Sequence, residues 1–94
     1  MKQTIQLWVE DSPGVLMRVA GIITAKGANI CSLSVVPDSH QAGIARIVLT
    51  ADVEPRLRLR VVNEMNRLVQ VLLAIDVSEQ QQRGPAAVRV GYAA

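Results

Sequence analysis

The sequence predicts an α+β fold, a ferredoxin-like βαββαβ sandwich in which two helices cover one face of a four-stranded antiparallel sheet. Three observations lead there. Four short stretches alternate apolar and polar residues or are rich in β-branched ones, two stretches between them carry apolar residues at helical spacing, and Pro and Gly mark most of the joints. The 94 residues suffice for one small domain, with little room for a deep catalytic cleft.

Ile5, Leu7 and Val9 alternate with Gln6, Trp8 and Glu10, the period of a half-buried strand. Ser12 then reads as a helix N-cap with Pro13 at the first helical position, where a missing N–H costs nothing. Val15, Leu16, Val19, Ile22 and Ile23 follow on one helical stripe, with Arg18 and Lys26 off it, and Gly27 is a C-terminal stop. Residues 29–36 form a β-branched second strand ended by Pro37. Residues 38–43 are a turn and residues 44–50 a third strand, so strands two and three make a hairpin. Pro55 opens a second helix with Leu57, Val61, Val62, Met65 and Leu68 on one face, and Val71, Leu73, Ile75 and Val77 alternate in a fourth strand. Polar, turn-forming residues 78–85 read as a linker. The expected organisation is a domain over 1–78 and a linker and tail over 79–94, in which residues 88–92 form one short strand or order only on a partner.

Half of the residues are hydrophobic, yet Phe is absent and Trp and Tyr occur once each, so the core is aliphatic. That is more apolar surface than one small domain buries, which points to a second chain. A net charge of +2 and a pI near 9.2 are too mild for nucleic acid, and the strands lack interleaved aromatics on which bases stack. The single cysteine, Cys31, excludes an internal disulfide and a multi-cysteine metal site, and its apolar strand reads it as a small core residue. No 18-residue apolar run or signal-like start is present, so no membrane association and a cytoplasmic location are expected.

The turn around Ser12, Pro13 and Gly14 is the most informative feature. A helix start offers unpaired N–H groups and the positive end of a dipole, a place for a carboxylate. Pro13 donates nothing, so the amides of Gly14 and Val15 are the expected donors, and Gly14 lets a ligand approach the backbone. Asp11 would repel a ligand carboxylate but could take an α-ammonium group; its other reading is a turn or dipole cap. Asn29 offers a donor and an acceptor where strand two begins, or serves the turn after Gly27. Trp8 falls on the open face of the sheet, as an interface anchor or under the tail. Arg56, Arg60, Asn63 and Arg67 make a polar stripe with Glu64 within reach of Arg60, a solvated face or a docking surface. Catalysis finds no support: His40 is alone in its loop, and no motif places a nucleophile.

Asp-Ser-Pro-Gly-Val-Leu-Met-Arg-Val at 11–19, Lys-Gly-Ala-Asn-Ile-Cys-Ser-Leu-Ser-Val at 26–35 and Asn-Arg-Leu-Val-Gln-Val at 66–71 together resemble an ACT domain. More narrowly, they resemble the short form of the acetohydroxyacid synthase (acetolactate synthase) small regulatory subunit. The resemblance implies a homodimer with joined sheets and apposed first helices. It also implies that a feedback branched-chain amino acid, valine in that family, binds between the first turn of one chain and the start of strand two of the other. Carried over, the effector contacts are Asp11, Gly14, Val15, Asn29 and Ile30. It further implies a chain that is not an enzyme and carries no cofactor, but activates a large catalytic subunit holding thiamine diphosphate, magnesium and FAD. The family often has Asn where this chain has Asp11, and many members continue into a second domain. The alternatives are a free-standing ACT sensor for another enzyme and an activating subunit blind to ligand.

Overall fold

The computed structural model describes residues 2–78; the linker and tail expected over 79–94 lie outside the described residues. The order is β1 (Lys2–Glu10), α1 (Val15–Ala25), β2 (Asn29–Pro37), β3 (Ile44–Asp52), a 3-10 turn (Pro55–Leu57), α2 (Arg58–Asn66) and β4 (Val71–Asp76). All pairings are antiparallel and the strand order is β2-β3-β1-β4, the expected ferredoxin-like sandwich.

The two central strands set the core. Ile5, Leu7 and Val9 lie opposite Leu49, Ile47 and Ala45, and all six are buried. Val15, Val19 and Ile23 of α1 and Val61 and Met65 of α2 close over them in one aliphatic cluster. Each such side chain taken from water is worth about 1.5–3 kcal/mol. Leu16 departs from the expected stripe: it is 40% exposed, at the edge of the buried face.

Two β-bulges change the reading of the edge strands. Between β1 and β4, Trp8 pairs with Leu73 but Val9 pairs with Val71, so Leu72 is an extra residue. One inserted residue reverses the alternation. Val71 and Ala74 therefore face the core, while Leu73 and Ile75, expected to share a face with Val71, stay exposed on the open side with Trp8. Between β2 and β3, Ile30 pairs with Ala51 and Ser32 with Thr50, leaving Cys31 as the extra residue. Cys31 is accordingly exposed, not the core residue expected.

Long-range polar ties fix the helices on the sheet. Lys26 Nζ at the end of α1 lies 2.6 Å from Glu64 Oε2 on α2, so Glu64 is held by Lys26 and not by Arg60. Asn66 donates to the Ala74 carbonyl and accepts from the Ala74 amide, at 3.0 and 2.9 Å, tying α2 to β4. No helix of the described residues is long and apolar enough to cross a membrane.

Candidate functional site

The β1–α1 corner is a type II turn. Val15 N–H donates to the Ser12 carbonyl at 3.4 Å, Pro13 fills the second position and Gly14 the third, at φ 87° and ψ −12°. That positive φ is why glycine stands there. The helix consequently begins at Val15 with Gly14 as its cap, and no side chain caps it. Ser12 is therefore not the N-cap and Pro13 not the first helical residue. The proline-glycine pair is better spent on the turn, which must reverse the chain between a central strand and the helix packed upon it.

This shift of about half a turn changes which amides are available. Val15 N–H already has an acceptor, though a long one, and its side chain is 3% exposed in the core. Leu16 and Met17, the next two residues of the first turn, have no backbone acceptor for their amides among the described residues. They join Gly14 as donors at the positive end of the helix. Sequence reasoning missed them because it started the helix too early. Asp11 is exposed beside them, its own amide donating to the Gly43 carbonyl at 2.9 Å. That bond anchors the corner to the β2–β3 hairpin, at the far end of β2 from Asn29.

Asn29 is exposed and Ile30 half-buried, at the first two positions of β2. Gly27, at φ 73°, turns the chain out of α1 to reach them. Within one chain the structure does not bring Asn29 and Ile30 to Asp11, Gly14 and Val15. The 11 residues of α1 separate the two groups by about 16 Å. The two groups of candidate residues therefore stand at opposite ends of one helix.

The described residues also form other concavities. One of about 350 Å3 lies between Trp8, Leu72, Leu73 and the hairpin residues Asp38, His40 and Gln41. His40 is exposed, and its amide donates to the Asp38 carboxylate at 3.3 Å. Among the described residues no cluster of His, Cys, Asp and Glu could hold a metal ion.

A family profile described as the AHAS small subunit-like ACT domain matches residues 5–73. A probable acetolactate synthase small subunit from Archaeoglobus fulgidus is 32% identical over 79 residues, covering 84% of this chain and 49% of that protein. One from Methanothermobacter thermautotrophicus is 37% identical over 73 residues, covering 78% and 43%. The chain thus spans about half the length of these relatives. The crystal structure of the acetolactate synthase small subunit from Thermotoga maritima superposes with a TM-score of 0.70 at 24% identity, over 81% of this chain and 47% of that one, a likeness of fold. With the profile running from the first core residue of β1 into β4, through both groups of candidate residues, the chain belongs to the family of acetohydroxyacid synthase small subunit-like ACT domains.

Proposed function

We propose that this chain is a non-catalytic regulatory subunit of acetohydroxyacid synthase, which activates a large catalytic subunit and confers inhibition by valine or another branched-chain amino acid. The relatives named acetolactate synthase small subunits support the enzyme, and the placement of the half-sites carries the mechanism. The corner of residues 11–14 is bonded to the hairpin that ends β2, whereas Asn29 begins β2. A second copy added antiparallel along the β2 edge, which pairs with β3 alone among the described residues, brings its Asn29 and Ile30 to this chain's corner.

The same edge offers the apolar surface for that pairing. Leu33 and Val35 lie opposite Leu49 and Ile47, hence on the helix side of the sheet, yet they are 41% and 46% exposed. At the seam an amino acid's carboxylate meets the amides of Gly14, Leu16 and Met17, and its ammonium meets Asp11 or the Asn29 side-chain oxygen. The bound effector stabilises one arrangement of the dimer, and the catalytic subunit responds to that shift in population. Thiamine diphosphate, magnesium and FAD belong in this reading to the large subunit.

Asp11 supports a second reading, a subunit that activates without sensing, because an exposed carboxylate in the same corner would repel the carboxylate of an effector. Calorimetric titration of the chain with valine, leucine and isoleucine, with lysine as control, decides between them. Saturation near one ligand per chain identifies a sensor. A ligand at about 100 times its dissociation constant also adds about 2.7 kcal/mol of stability. No binding, alone or with the large subunit present, leaves the activator. Failure to copurify with the large subunit removes the assignment to this enzyme.

A further inference from the structure

The outer face of α2 carries a line of cations that neither the core nor the helix requires. Arg60, Asn63 and Arg67 recur at spacings of three and four residues, which puts them on one face of α2, and Arg56 precedes them in the 3-10 turn. With Lys26, Leu59 and Glu64 they line an open groove of about 560 Å3. Among the described residues the one carboxylate lining that groove, Glu64, is already taken by Lys26. Arg56 lies 2.7 Å from Glu54, but the two side chains are 76% and 55% exposed, so water competes effectively for both. Arg60 and Arg67 are exposed and have no ion-pair partner among the described residues.

This placement works against the helix. Arg60 lies in the first turn of α2, where the backbone dipole disfavours cations, and no acidic residue of that turn offsets it. Like charges four residues apart also repel. An anionic counterpart relieves both effects. Along the axis of α2, Arg60 and Arg67 are about 10 Å apart. A lone phosphate or carboxylate cannot span that length, whereas acidic residues along a polypeptide can. Leu59, 72% exposed on the groove wall, adds an apolar contact, and among the described residues no aromatic lines the groove for a base to stack upon. A second copy of this chain would set the same cations face to face.

We propose that the α2 groove docks an acidic stretch of a protein partner, its carboxylates meeting Arg60 and Arg67 and an apolar side chain covering Leu59. The partner is the large catalytic subunit, an identification that rests on the function proposed above, whereas the groove's preference for an acidic polypeptide does not.

The test titrates the full chain and its Arg60→Glu/Arg67→Glu variant into the large subunit at low and high salt, following association and acetolactate synthase activity. The variant is expected to associate about tenfold more weakly, with a shallower salt dependence and an unchanged melting temperature. Arg60→Lys/Arg67→Lys, which keeps the charge, is expected to retain association. Equal affinity for the native and Glu-substituted chains, or loss of association in the Lys-substituted chain, overturns the proposal. Should the native chain not associate with the large subunit, the proposed function fails and a fluorescent deca-glutamate peptide tests the groove alone. Peptide binding that disappears in the Glu-substituted chain supports the groove. Absent binding, binding equal in both chains, or tighter binding of a thymidine oligonucleotide overturns it.

Discussion

Arg58 grips Asp76 with two nitrogens: Nε lies 3.0 Å from Oδ2 and Nη2 3.2 Å from Oδ1, joining the first turn of α2 to the end of β4. The same carboxylate accepts from the Gln3 side chain at 3.0 Å, from the Ser78 amide at 2.9 Å and from the Ser78 hydroxyl. Ser78 Oγ in turn accepts from the Thr4 amide at 2.9 Å. One carboxylate thus ties three elements together where β4 ends. Burial opposes its ionisation, but the Ser78 bonds, then Gln3 and the Arg58 charge, together hold the Asp76 carboxyl below its ordinary value.

From this follows a stability prediction with a defined pH window. Asp76→Ala removes the common acceptor and costs about 2 kcal/mol at neutral pH, measured by denaturant unfolding. The folded pKa is lower than the unfolded one, so the ionised carboxylate contributes fully above the unfolded value of about 3.9 and progressively less as pH falls through the folded value. The difference in stability between the native chain and Asp76→Asn is therefore expected to narrow below about pH 4. A gap that stays constant to lower pH would show that the charge is not what matters.

Asn29→Ala removes a side chain that is exposed in one chain, so the fold and melting temperature should hold. Effector affinity should fall about tenfold in calorimetry, the equivalent of one hydrogen bond to a charged group. Unchanged affinity for every branched-chain amino acid would remove Asn29 from the site.

Gly14→Ala isolates the cost of the turn. An added Cβ meets nothing within 4 Å, so packing is not at stake, but φ is 87°. The substitution is expected to cost about 1–2 kcal/mol through backbone conformation alone. It should also displace the Leu16 and Met17 amides and weaken effector binding. A thermal melt with no change would mean that the corner relaxes to another turn.

Val35→Lys places a charge on the exposed helix side of the β2 edge, where Val35 is 46% exposed in one chain. Little loss of monomer stability is expected, but sedimentation should show the dimer shifted to monomer, because a free strand edge with an unpaired charge resists edge pairing. If the half-sites belong to two chains, effector binding falls in the same variant. Binding that survives in a monomer would locate the site within one chain.

Much of this molecule was legible along the chain because its signals are local. Strict alternation marked β1, the stripe of Val15, Val19 and Ile23 marked α1, and Pro and Gly marked the turns, so element order and fold class followed. Asp11 and Asn29 could likewise be singled out from their neighbours in sequence. What the sequence did not reveal depends on partners far along the chain. The Ser12 cap gave way to Gly14 because the turn has to bring α1 onto the sheet. Leu73 and Ile75 turned outward, and Cys31 became exposed, because the register against β1 and β3 requires a bulge in each edge strand.

The sequence by itself determined the order of elements, the aliphatic core and the residue types at the candidate site. These rest on the period of apolar residues and the chemistry of turns, which act over a few residues. Only the tertiary structure decided that Glu64 belongs to Lys26, that Arg58 belongs to Asp76, and that the two groups of site residues stand at opposite ends of α1. Those outcomes depend on distances in space, and one strand register or one half-turn of helix changes which side chains can meet.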